Sequence, residues 1–65
     1  MARKQHPVSL RESLAKQIRL SREKCGMSQE ELGWRSDLHR TYVSLVERAK
    51  RSPTVDSLER IAQAL

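Results

Sequence analysis

The stretch SQEELGWRSDLHRTYVSLVER, residues 28–48, decides the fold of this 65-residue chain. It opens on Ser28-Gln-Glu-Glu31, the pattern of a capping box. In that motif a serine hydroxyl accepts from the third helical amide while the glutamate side chain reaches back to the serine's own amide. Met27 before the box and Leu32 within it have the spacing of a hydrophobic staple, so a helix is expected through about Ser36. At roughly two turns it is marginal alone. Asp37 tolerates a turn or left-handed conformation better than most residues, and a second helix begins near His39. A break of three or four residues between two short helices is the connection of a helix-turn-helix. Two such helices cross closely and need a small side chain where they meet. Gly33 supplies it, which accounts for a residue that costs about 1 kcal/mol inside a helix. Leu32, Leu38, Val43 and Val46 are the apolar positions that lock the pair together.

The second of these helices, HRTYVSLVER over residues 39–48, has an unusual polar face. At 100° per residue Val43 and Val46 share one side, and Arg40, Thr41, Ser44, Leu45 and Arg48 share the other. Glu47 is the only acid and sits at the flank beside the valines. A solvated helix face ordinarily interleaves acids with bases, because opposite charges at i,i+4 support the helix. A face with two arginines, two hydroxyls and no acid points to an anionic partner.

The rest of the chain is helical as well. Ser9-Leu-Arg-Glu12 is another capping box, Leu10, Leu14 and Ile18 mark one stripe, and Gly26 is a suitable left-handed stop, which predicts a helix over 9–25. After Pro53, Thr54 is a plausible N-cap, and Val55, Leu58, Ile61 and Leu65 give a fourth helix its apolar stripe. No strand and no repeat is legible. The expectation is an all-α fold, a small compact bundle of four helices containing a helix-turn-helix. Residues 9–65 form the domain, and residues 1–8 form a flexible basic arm.

Composition narrows the function. A chain this short buries about 60% of its unfolded surface and leaves little room for a cleft of drug-ligand size. Hydrophobic residues make up 37% and charged residues 32%, which is globular composition, and with only Trp34 and Tyr42 as aromatics the core must be aliphatic. The net charge of +5 suggests nucleic acid or another anionic surface as partner. The charge is also uneven. Residues 1–24 hold seven bases and two acids, residues 25–37 one base and three acids, and residues 38–52 four bases and one acid. Cys25 is the single cysteine, which excludes an internal disulfide and any multi-cysteine zinc framework and fits a reduced, cytoplasmic setting. No apolar run is long enough to span or anchor to a membrane. His6 and His39 have no ligand cluster near them, and no nucleophile–base–acid set or phosphate loop appears, so neither metal, cofactor nor catalysis is expected.

Residues 28–48 resemble the lambda-repressor/Cro-like (XRE) family of DNA-binding domains. The flanks IRLSREKCGMSQ, residues 18–29, and SPTVDSLERIAQAL, residues 52–65, extend the resemblance over nearly all of the chain beyond the arm. Within that family WRSDLHRTYVS is most similar to the controller proteins of restriction–modification systems. The resemblance implies a regulator of transcription that pairs as a homodimer on a pseudo-palindromic double-stranded operator, with the 39–48 helix in the major groove. Arg40, Thr41 and Ser44 then contact base edges, Arg40 by a bidentate pair to guanine. Arg51 joins them by resemblance. Ser28 and Gln29, at the positive start of the preceding helix, are placed at the DNA backbone, together with Arg48 and Lys50. The ring of Tyr42 packs while its hydroxyl reaches the backbone or a base. The family also pairs residues at the positions of Arg22 and Glu47.

Other readings stand beside these. Arg40, Thr41 and Ser44 can be a solvated face, and Arg48, Lys50 and Arg51 plain surface charge. Trp34 either packs along its own helix or meets DNA or a partner. Cys25 is expected to be a small buried hydrophobe. Several positions depart from the family pattern: Ala49 replaces a frequent glycine, Asp37 a turn glycine, and Leu20-Ser21 places a serine on the core stripe. The chain stops at Leu65, inside the fourth helix, where the family continues into a fifth. A trimmed domain or a short member is therefore expected, monomeric or weakly dimeric alone and pairing cooperatively on DNA. The operator and the sign of regulation are not legible. An operator-binding antitoxin, or an interaction module with the same fold, are the alternatives. The neighbouring gene separates the first, and a random-oligonucleotide selection the second.

Overall fold

The computed structural model describes residues 9–65, so the basic arm expected over 1–8 lies outside the described residues. Among the described residues there are four helices and no strand: α1 (Leu10–Lys24), α2 (Gln29–Ser36), α3 (Arg40–Glu47) and α4 (Val55–Ala64). Helix α2 packs against both α3 and α4, and α1 packs against α3.

The starts of the helices follow local chemistry. At Ser9 the capping box is complete: the Glu12 amide donates to Ser9 Oγ at 3.1 Å and the Ser9 amide to Glu12 Oε1 at 3.0 Å. At Ser28 only half of it forms. The hydroxyl accepts from the Glu31 amide, but the Glu31 carboxylate turns down the helix to Arg35, 2.8 Å away, one turn on. An i,i+4 partner on the exposed face has drawn it from the cap. His39 caps α3 by accepting the Thr41 amide on Nδ1, and Thr54 caps α4 by accepting the Ser57 amide.

Three helix ends share one device. After α1 the Met27 amide donates to Arg22 O and the Gly26 amide to Glu23 O. After α2 the Leu38 amide donates to Gly33 O and the Asp37 amide to Trp34 O, and after α3 the Lys50 amide donates to Leu45 O and the Ala49 amide to Val46 O. This is the Schellman arrangement, which needs a left-handed residue at its centre. Gly26, Asp37 and Ala49 fill that place with φ of 73°, 59° and 58°. Alanine is the poorest fit, because its Cβ crowds the following carbonyl. Ala49→Gly should therefore stabilise the domain by about 0.5–1 kcal/mol, the relief of left-handed strain outweighing the entropy that glycine adds to the unfolded chain. A melting temperature that fell or stayed put would show that the turn is not left-handed in solution.

The core is Ile18, Met27, Leu32, Val43, Val46 and Ile61, with Leu14, Leu38, Leu58 and Leu65 packed partly against it. Met27 and Leu32, the staple pair, both lie within it. Two stripe residues do not: Leu10 is 84% and Val55 82% exposed. Each is the first residue of its helix, at the end of the stripe, where the bundle leaves it open to water. Cys25 is exposed as well, contrary to expectation. It occupies the C-cap of α1, where the chain turns away, and Met27 two residues later takes the core position.

Gly33 is buried where α2 meets the turn and the start of α3. A Cβ there would stand 2.6 Å from the Leu38 carbonyl oxygen and 3.2 Å from the Arg40 amide nitrogen. Both are backbone atoms and cannot swing aside. Gly33→Ala should cost roughly 1–3 kcal/mol through the displaced backbone, exceeding the gain of about 1 kcal/mol that alanine brings to a helix interior. Chemical denaturation checks the sign, and a stabilised variant would contradict the crossing.

Candidate nucleic-acid interface

The two valines that face inward orient α3. With Val43 and Val46 fully buried, Arg40 and Thr41 are exposed, Ser44 and Leu45 half-buried, and Arg48 exposed at the C-cap. The donors grouped on the helical wheel do share an open face. One acid stands near it that the wheel could not show: Glu30 of α2 lies with Oε1 3.9 Å from Arg40 Nη1. Both side chains are largely in water, so the pull is weak, and the guanidinium retains free donors.

Glu47, at the flank of the wheel, is the anchor of the helix. Arg22 donates to it through Nε (2.7 Å) and Nη2 (3.0 Å), and through Nη1 to the Met27 carbonyl (2.8 Å). The two side chains are 12% and 2% exposed. The hydrogen bond to Glu47 raises the Arg22 pKa above its ordinary value, against the downward pull of burial. The guanidinium is thus a permanent cation, and the fork holds α3 to α1 at a fixed angle.

Gln29 joins this pair. Its Nε2 donates to Glu47 Oε1 at 3.0 Å, a contact that the sequence does not suggest. It leaves one amide proton and the carbonyl for another partner. Gln29 is also the first residue of α2, where backbone amides precede the intrahelical ladder and the helix dipole is positive. Ser28 Oγ accepts the Glu31 amide and keeps its own hydroxyl proton to donate.

Beyond α3, Arg48, Lys50 and Arg51 are exposed on the loop to α4. Arg51 does not float free. Its guanidinium lies over the Tyr42 ring, 5.3 Å from the centroid. The Tyr42 hydroxyl oxygen accepts the Thr54 amide at 3.3 Å, and Ser52 Oγ accepts from Arg11 Nε at 2.9 Å. The loop is therefore tied to α3, α4 and α1. Trp34 is 81% exposed, more open than a side chain laid along its own helix, and borders a shallow hollow with Glu30, Leu38, His39 and Arg40.

Among the described residues no group of His, Cys, Asp and Glu is placed to hold a metal ion. No helix is long and apolar enough to cross a membrane.

Two short helices crossed at a glycine, with a donor-rich face on the second, define the class: a helix-turn-helix domain of the DNA-binding type. The chain belongs to the helix-turn-helix family HTH_3, whose model matches residues 18–65. It is 52% identical over 50 residues to the control protein C.BamHI of Bacillus amyloliquefaciens, a match covering 77% of this chain and 59% of that one. It is 41% identical over 58 residues to the control protein C.SmaI of Serratia marcescens, covering 89% and 69%. The fold superposes on the restriction–modification controller protein C.AhdI from Aeromonas hydrophila with a TM-score of 0.81 and 33% identity, covering 83% of this chain and 82% of that one. For the wild-type controller C.Esp1396I the values are 0.84, 38%, 89% and 75%. The relatives are named as regulators and not as enzymes.

Proposed function

We propose that this chain is a sequence-specific, double-stranded-DNA-binding regulator of transcription of the restriction–modification controller kind, working as a pair on an operator with two half-sites. The observation that carries the reading is the open face of α3, which presents Arg40, Thr41 and Ser44 while Val43 and Val46 seat the helix from behind. The likeness to four controllers supports it. Arg40 offers a fork of donors to guanine O6 and N7, Thr41 a hydroxyl and a methyl, and Ser44 a short hydroxyl. Arg51 adds a base contact from the loop. Ser28 and Gln29 with the first amides of α2, and Arg48 and Lys50 beyond α3, approach phosphates. The neutral pairing of Glu47 inside the protein keeps its charge from the DNA.

Selection from random duplexes tests this. A symmetric motif should be enriched, its half-sites one helical turn apart, about 10 base pairs centre to centre. A pool that stays random would overturn sequence-specific binding and favour an interaction module. Lys50, a point charge on the loop, should serve every sequence alike. Lys50→Ala is expected to weaken selected and random duplexes equally and to lower the slope of log affinity against log salt by about one unit. A loss confined to the selected duplex would make Lys50 a reader of bases.

A further inference from the structure

Tyr42 makes two contacts that the roles above do not use. Its ring lies beneath the Arg51 guanidinium, and its hydroxyl oxygen accepts the amide of Thr54, the N-cap of α4. The ring is half-buried and packs against the core, so it is a fixed point. The loop that carries Arg51 is exposed and is fastened to this fixed point through the guanidinium and through Thr54. We infer that Tyr42 is a positioning residue for DNA reading, acting through the Arg51 guanidinium that it holds in place and not through a contact of its own hydroxyl with DNA. This rests on the reading of the chain as a DNA-binding regulator.

The physical case is one of preorganisation. An arginine on an open loop has among the largest rotamer freedoms of any side chain, and ordering it on binding counts against affinity. Base recognition demands one planar, two-pronged approach. The negative face of an aromatic ring attracts a guanidinium laid over it. The N–H donors lie at the guanidinium edge, so a ring on its face leaves them free to meet acceptors. Among the described residues Arg51 has no ion pair to compete for them. Lys50, its neighbour, has neither a plane to stack nor a ring beneath it, which separates a general phosphate contact from a poised reader.

The test compares Tyr42→Phe, which keeps the ring and loses the hydroxyl, with Tyr42→Leu, which loses the ring, and with Arg51→Lys, which keeps the charge and loses the plane. In the free protein the Arg51 side-chain protons should be shifted upfield by the ring, in wild type and in Tyr42→Phe but not in Tyr42→Leu. On the duplex obtained by selection, Tyr42→Leu and Arg51→Lys should each lose specific affinity, roughly two- to fivefold for the stacking contact, with random duplex unaffected. Tyr42→Phe, which keeps the ring and gives up only the fastening to Thr54, should lose clearly less than Tyr42→Leu. In an Arg51→Ala background Tyr42→Leu should cost nothing more. Arg51→Lys, at an exposed position, keeps the test open if Tyr42→Leu unfolds. Loss in Tyr42→Phe equal to that in Tyr42→Leu would assign the role to the hydroxyl and overturn the inference. So would an undiminished cost of Tyr42→Leu beside Arg51→Ala, or an Arg51→Ala protein that prefers the selected duplex as strongly as wild type does. If no duplex is enriched at all, the DNA reading fails and this role fails with it, while the upfield shift still reports whether Arg51 rests on the ring.

Discussion

Arg22→Ala should remove about a third or more of the domain's stability and lower its urea midpoint sharply. The substitution strips both guanidinium hydrogen bonds from a Glu47 side chain that is 2% exposed, and only Gln29 remains to answer the charge. Breaking one side of a buried ion pair costs about 3–5 kcal/mol, because the other charge stays behind without compensation. A chain of this length has only about 3–10 kcal/mol of total stability. The reverse experiment separates geometry from charge. Arg22→Met combined with Glu47→Leu removes both ions and fills the volume with apolar groups, an exchange that is often neutral or better. Recovery should be large but incomplete, since the Met27 carbonyl and the Gln29 amide each lose a partner. Urea denaturation followed by circular dichroism gives the three midpoints. An Arg22→Ala protein that melts like wild type would mean that the pair is open to water.

Arg40→Ala should cost about 1–3 kcal/mol on the selected duplex and relax preference at one base pair in each half-site. The reason is its place: first residue of α3, exposed, with its guanidinium held only by a distant and solvated Glu30. The loss should be confined to specific binding apart from the sequence-independent attraction of one positive charge to the phosphates. Equal loss on selected and random duplexes would make Arg40 a general anion contact.

The helices were legible in the sequence because caps are local. Ser9, Ser28 and Thr54 each hold the amide three residues on, and Gly26 and Asp37 take the left-handed places that their chemistry permits. Gly33 was legible for the same reason, since a glycine inside a helix asks for a close neighbour and one is there. Periodicity gives the apolar faces of α1 and α4 but not what lies against them, so Leu10 and Val55 belong to the stripes and yet lie in water. Cys25 was misplaced likewise, because residue type favours burial while the C-cap position forbids it.

Of the interface, the face of α3 could be drawn from the wheel alone. The Arg22–Glu47 pair came through family resemblance, and Gln29 in the same cluster did not. Nor did Glu30 beside Arg40, or Arg51 on Tyr42. Each joins residues on different elements, and no spacing along one helix encodes such a meeting.

Helix α3 reads base edges in the major groove if the account of its open face holds at guanine N7. The most direct measurement replaces guanine in each half-site of the selected duplex by 7-deazaguanine, which lacks the N7 acceptor, and separately by inosine, which lacks the minor-groove amino group. 7-Deazaguanine at the base pair read by Arg40 should weaken binding by roughly tenfold or more, while inosine there should leave it nearly unchanged. Loss on inosine with tolerance of 7-deazaguanine would place the reading in the minor groove and contradict the docking of α3.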